Sequence, residues 1–429
     1  MADHSPGERL RNFLLDRLEP DEVKPVFFHP GPGDGSADGL DYDTPIGRAC
    51  ARALDWQRQR ERERKAAEAK LVEILYGRRP SGEPKLPDDP DYSTWGLCEV
   101  LLEKSWSLRY DDPKGMLHLA ELARVTADRL DPEVYGVEVT HDLRSRAWGE
   151  FANACRVVDD LVKAESALDR ALELRSQGTG SDLLRARLAE HTARLLCYQR
   201  HFPAALQALD LAYSIHRKSG NLQDAAQVLI QRGIYTGRSG DPEEGVRLLA
   251  EALLQLGDDG DAKLRFLTLH NILLFQVEQG EFRAANLQLF EMRPLYARHA
   301  GAVDRVKLRW IEGRIAAGLG ELARAEKSFA QVREDFESRG QVYHGALAGL
   351  DLAAVWLRQD RTADVRRLVR EMIDVFRSRY VAREAIAALL MLREAVERDR
   401  ATLDLVQLVA GVIERHQSDA PGGSEPALV

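Results

Sequence analysis

Apolar residues recur along this chain with the i, i+3, i+4 spacing of a helix face, broken at regular intervals by turn residues. One stretch shows the pattern. Leu222 to Arg238 carries Ala225/Ala226, Leu229/Ile230, Gly233/Ile234 and Gly237 on one side, which predicts an amphipathic helix. Gly240 breaks it, Asp241 fits an N-cap, and Pro242 stands in the first turn of the next helix, where a missing N–H is harmless. That second helix turns Val246, Leu249 and Leu253 inward and ends near Gly257–Gly260. The same two-helix sentence returns at Arg200-His-Phe-Pro-Ala-Ala205, Gly280-Glu-Phe-Arg-Ala-Ala285, Gly320-Glu-Leu-Ala-Arg-Ala325 and Asp360-Arg-Thr-Ala-Asp-Val365. Its anchor residues are Ala164, Ala205, Gly245, Ala285, Ala325 and Val365, spaced 41 and then 40 apart. Weaker copies extend the series to Met116 and Leu405, so eight units of about 40 residues fill positions 94–416. Two antiparallel helices cannot bury both apolar faces alone, and stacking on the neighbouring pair is the stable solution. The expected fold is all-α, a solenoid of about eight antiparallel helix pairs.

The unit around Trp148 resembles a tetratricopeptide repeat: Trp148, Phe151, Ala152, Asn153 and Ala154 in a first helix, then Ala164, Leu168 and Ala171 in a second. Small residues at Ala152 and its equivalents Ala193, Gly233, Gly313 and Ala353 would let the paired helices cross closely; Leu273 departs from that pattern. The period departs too, at forty residues against the family's thirty-four. A forty-residue period also suits HEAT or armadillo arrays, but these rarely carry the Gly-Asp turn with flanking alanines. The resemblance implies a right-handed superhelix whose first helices line a concave groove. Long units of this kind are similar to those of bacterial regulatory and sensor proteins, where the arrays bind peptides or partner proteins.

Outside the repeats, residues 1–40 read as mostly disordered apart from a short helix, Glu8 to Leu18, because His29–Gly39 is rich in Gly, Pro and Asp. A charged helix is expected over 41–76, with Ile46, Cys50, Ala53, Leu54, Ala67, Leu71 and Leu75 as apolar contacts and a solvated, ion-paired middle at Gln57–Lys70. Residues 77–93 form a linker and 417–429 a loose tail.

Composition narrows the function. The 429 residues carry a net charge of −9, which gives no help to nucleic acid or anionic membranes. The longest apolar run, Ala385 to Leu392, is far short of the ~18 residues a membrane helix needs. MADHSPGERL at the start lacks a secretory pattern, so the cytoplasm is expected. The four cysteines lie more than forty residues apart, and the histidines show no HExxH, so no metal or cofactor is expected. With no nucleophile elbow and no phosphate loop, the chain reads as non-enzymatic.

Mapping the family's groove positions onto the six clearest units selects thirty residues, eight basic and two acidic, against about four and five expected from overall composition. By that resemblance the candidate contacts are Arg146, Asn153, Arg156, Arg187, Arg194, Tyr198, Arg238, Trp310, Arg314 and Arg358. Asn153 stands where relatives hold a peptide backbone, and Tyr198 and Trp310 serve as anchors. The two-carboxylate clamp for chaperone tails is not reproduced, since Gly149 replaces its lysine. Arg194 is read as a surface residue whose exchange for glutamate leaves stability within about 0.5 kcal/mol. The expected function is an interaction scaffold that docks an acidic or polar segment of a protein or peptide. The alternative is a ligand- or peptide-sensing receptor that acts on a separate effector.

Overall fold

The computed structural model describes residues 43–76, 86–109, 112–257, 261–339, 341–378 and 383–417. The segment expected to be disordered, most of the linker and the tail therefore lie outside the described residues. Among those described, all regular structure is helical. The chain divides into two compact units: Met1–Leu108 with Gly115–Trp148 and Ala171–Ser181, and Arg109–Lys114 with Gly149–Arg170 and Asp182–Val429.

The first unit contains α1 (Asp43–Tyr76), α2 (Trp95–Ser107), α3 (Pro113–Asp128), the single turn α4 (Pro132–Tyr135) and the first half of α5 (Val137–Val157). Helix α1 lies along α2 rather than standing in solvent. The approach is so close that a Cβ at Gly96 would sit 2.4 Å from the Glu63 backbone. Ala67, Leu71 and Ile74 are buried with Leu97, Cys98 and Leu101. The Arg60 guanidinium lies 4.8 Å from the Trp56 ring centre and 4.3 Å from that of Trp95. Glu63 accepts hydrogen bonds from the Gly96 amide at 3.2 Å and the Tyr135 hydroxyl at 3.0 Å. Most of the middle of α1 is exposed, with internal pairs such as Gln57–Glu61, as expected; what the sequence did not show is that Arg60 and Glu63 join Ala67 in one stripe, which meets α2 and α4 through ring, hydrogen-bond and apolar contacts.

In the second unit the end of α5 is followed by α6 (Leu161–Arg175) up to Arg170, then α7 (Asp182–Tyr198), α8 (Phe202–Lys218), α9 (Leu222–Arg238), α10 (Pro242–Leu256), α11 (Ala262–Glu278) and α12 (Phe282–His299). Then come α13 (Ala302–Gly318), α14 (Leu322–Ser338), α15 (Val342–Leu357), α16 (Thr362–Ser378), α17 (Arg383–Glu397) and α18 (Leu403–Gln417). From α7 onward consecutive helices pack on one another, as a stack of pairs requires. The anchor register holds: Ala164, Ala205, Ala285, Ala325 and Val365 are all buried at the crossings. At Gly245 a Cβ would lie 2.8 Å from the Gly233 carbonyl oxygen and 3.0 Å from the Gly237 Cα, so two backbones meet there. The final copy slips by one residue. Leu405 is only half-buried, whereas Val406, Val409 and Ile413 are buried, and α18 packs on α15 as well as on α17.

Among the described residues, the turn inside each pair from α5–α6 onward uses one residue with a left-handed backbone: Asp159, Arg200, Gly240, Gly280, Gly320, Asp360 and Asp399. The residue after it closes the helix end by donating its amide five residues back, as His201 does to Leu196 at 2.8 Å and Glu281 to Gln276 at 2.9 Å. Arg200 holds a φ of 61° without the local hydrogen bond that Asn or Asp offers there, and its guanidinium only approaches the Phe202 ring centre, at 5.5 Å. Arg200→Gly should therefore stabilise the chain by roughly 0.5–1 kcal/mol, the strain relief outweighing the added unfolded-state freedom. A lowered urea midpoint would contradict this.

Candidate functional site

The groove candidates fall into three groups. Arg146 belongs to the first unit, where its guanidinium pairs with Glu99 at 2.5 Å. The other nine belong to the second.

At the near end of the second unit, α5, α7 and α9 contribute a polar ladder. Glu150 on α5 faces Arg187 at 3.6 Å and His191 at 3.4 Å on α7. Arg194, one turn further, donates to Glu190 at 2.9 Å, and its other arm meets His191 Nδ1 at 3.1 Å. Glu190 also bonds His216 of α8 at 3.2 Å, and His216 stands 3.9 Å from Asp224 of α9. The side chains of Arg194 and Glu190 are only 11% and 15% exposed. Burial works to raise the Glu190 pKa, but the His216 and Arg194 partners more than offset it and hold the carboxyl below its ordinary value. Arg194 is therefore half of an interior pair, not the surface residue the sequence suggests.

Asn153 and Arg156 lie beside this ladder and are both buried. The Asn153 Oδ1 accepts from Arg156 Nε at 3.3 Å and Nη2 at 3.1 Å. Burial lowers the Arg156 pKa and raises those of Cys197 and Tyr235, and the charges of Arg156, Arg194 and Arg238 bear on this group. Arg238 stands exposed at the end of α9, and Tyr198, half-buried, closes α7.

Further along, Trp310 and Arg314 of α13 share one carboxylate on α15. Trp310 Nε1 donates to Asp351 at 2.6 Å, Arg314 Nε does so at 2.9 Å, and the Arg314 guanidinium lies 4.9 Å from the Trp310 ring centre. Burial opposes charge on Arg314, yet the Asp351 carboxylate raises its pKa overall. Trp310 also meets Phe336 edge-on at 5.7 Å, so one face of this anchor is already packed. Arg358, exposed, donates to the Ala317 carbonyl at 2.7 Å.

Carboxylates answer part of the positive charge of these helices: Glu150, Glu190 and Asp351 stand against Arg187, Arg194 and Arg314. Glu190 was visible as the i−4 partner of Arg194; Asp351 stands on another helix and carries no local signal. Among the described residues no group of His, Cys, Asp and Glu is arranged to hold a metal ion, and no helix is long and apolar enough to cross a membrane.

This architecture is that of tetratricopeptide-type helical repeats. A Rap protein complexed with competence and sporulation factor is similar over 75% of this chain and 87% of its own, with 13% identity and a TM-score of 0.54. The apo form of RapI is similar over 75% and 98% respectively, at 12% identity and a TM-score of 0.48. A signal transduction ATPase with a tetratricopeptide repeat sensor, from Pyrococcus horikoshii, shares 12% identity over 82% of this chain and 52% of its own, with a TM-score of 0.35. No protein-family model and no curated protein sequence matches the chain.

Proposed function

We propose that this chain is a non-catalytic regulatory scaffold that docks an acidic or polar segment of a protein or peptide on the first helices of its second unit. The observation that supports this most strongly is the set of guanidinium groups at the groove positions of five of the six clearest first helices, Arg156, Arg194, Arg238, Arg314 and Arg358, with α11 contributing none. Such groups suit carboxylate-bearing segments, and Tyr198 and Trp310 add aromatic area beside them. The Rap protein of similar fold was crystallised with competence and sporulation factor, which agrees with a docking role while fold alone decides no function. The ligand-sensing alternative uses the same surface, with the bound segment controlling a separate effector.

The test is affinity purification from the native cell with mass spectrometry, run on wild type and on Arg358→Glu. Arg358 is exposed and makes no ion pair among the described residues, so the variant should keep its stability within about 0.5 kcal/mol. It should recover the stoichiometric partner at reduced yield; equal recovery would remove Arg358 from the docking face, and no partner at all would count against the scaffold reading.

A further inference from the structure

Arg156 is the one groove arginine that is both buried and without an acidic partner. Only 9% of its surface is exposed, and among the described residues no carboxylate lies within ion-pairing distance of it. A buried guanidinium in that state is costly unless something completes it. Its protein hydrogen bonds run to a single acceptor, the Asn153 Oδ1, reached by Nε and Nη2. Arginine has five N–H donors, so the outer edge formed by Nη1 and the second Nη2 hydrogen is left for a two-oxygen acceptor. Asn153 holds the guanidinium plane from one side, which leaves little to order when such an acceptor arrives.

We propose that Arg156, oriented by Asn153, is a carboxylate-binding site that receives one carboxylate of the docked segment. The surroundings favour a singly charged group. Arg194, whose charge acts on Arg156, already shares Glu190, so the local excess is close to one positive charge from Arg156, with Arg238 at the exposed edge. The charge of Asp159, at the turn after α5, acts on Arg156 in the opposite sense to burial and offsets part of the positive field around it. Burial lowers the Arg156 pKa, which is the mark of a charge whose counter-ion is not supplied by the fold. This assignment builds on the docking reading but does not need the partner to be known.

The experiment is thermal unfolding of the full chain in sodium acetate and in sodium chloride at matched ionic strength and pH, for wild type, Arg156→Gln and Arg156→Lys. A ligand that binds only the folded state raises the melting temperature in proportion to its occupancy. Acetate should raise that of wild type by about 2–4 °C over chloride. The increment should vanish in Arg156→Gln and shrink in Arg156→Lys, which keeps the charge but loses the fork. Equal melting temperatures of wild type in the two salts would overturn the proposal, as would an increment that survives in both variants. A parallel series in sodium phosphate that outperforms acetate would overturn the carboxylate assignment. Because no partner enters, failure here leaves the docking reading standing, and failed partner capture leaves this result standing.

Discussion

Replacing Arg194 by glutamate should destabilise the chain by about 3–5 kcal/mol, although the sequence alone presents the position as a tolerant surface site. The guanidinium holds Glu190, and both side chains are largely out of solvent. Removing the cation strands the Glu190 carboxylate with only His216 as partner, and the new carboxylate adds a like charge beside it. Coulomb attraction in this half-dry environment exceeds what an exposed pair delivers, usually under 1 kcal/mol. Urea unfolding of Arg194→Glu beside Arg358→Glu gives the contrast within one molecule. A loss at position 194 as small as that at 358 would show that the Glu190 pair is not an interior one.

Acid should weaken the fold well above the carboxylate range, through His270. This side chain on α11 is buried, and its Nδ1 lies 2.6 Å from the Tyr296 hydroxyl of α12. Burial takes its pKa from 6.5 down to about 4. Between those values the unfolded chain binds a proton that the folded chain refuses. Stability contributed by neutral His270 is therefore full above pH 6.5 and is lost progressively as the pH falls towards 4, in total roughly 3 kcal/mol. Glu278 acts in the opposite sense, since burial raises its pKa and the folded state takes up its proton first. Glu190, with its depressed pKa, weakens the fold only below the ordinary carboxylate value of 4.5. The quantity to measure is accordingly the difference in pH slope between wild type and His270→Gln, which keeps a hydrogen-bonding partner for Tyr296 without a titrating ring. The variant should lose less stability than wild type between pH 6.5 and 4; parallel curves would mean that folding leaves the His270 pKa unchanged.

The repeat was readable because one physical demand recurs every forty residues: a small side chain where two helices cross and a left-handed residue where the chain turns back. Gly240, Gly280 and Gly320 announce the turn by type and Asp360 tolerates it, while Arg200 occupies it against preference and is found only by counting. Charge was harder to read. Arg194 and Arg314 look alike in the pattern of first helices, yet the partner of one is four residues away and that of the other is Asp351, on another helix. The face of α1 was hidden for a related reason. Trp56, Arg60, Glu63, Ala67, Leu71 and Ile74 form a helical stripe whose apolar members are diluted by Arg60 and Glu63, and these bind α2 through ring contacts and hydrogen bonds that hydrophobic periodicity does not register. The slip from Leu405 to Val406 falls where α18 takes an additional contact with α15, a demand the internal repeats never meet.

The central claim is that helix pairs of the second unit are held in register by small residues at their crossings. Leucine substitution of adjacent alanines tests it in one series of urea unfolding curves. Ala205 and Ala285 are fully buried, while their neighbours Ala204 and Ala284 are exposed. Ala205→Leu and Ala285→Leu should each cost about 1–3 kcal/mol by overpacking, and Ala204→Leu and Ala284→Leu should stay within about 0.5 kcal/mol of wild type. Equal effects at both positions of each pair, or the larger loss at 204 and 284, would contradict the stack described here.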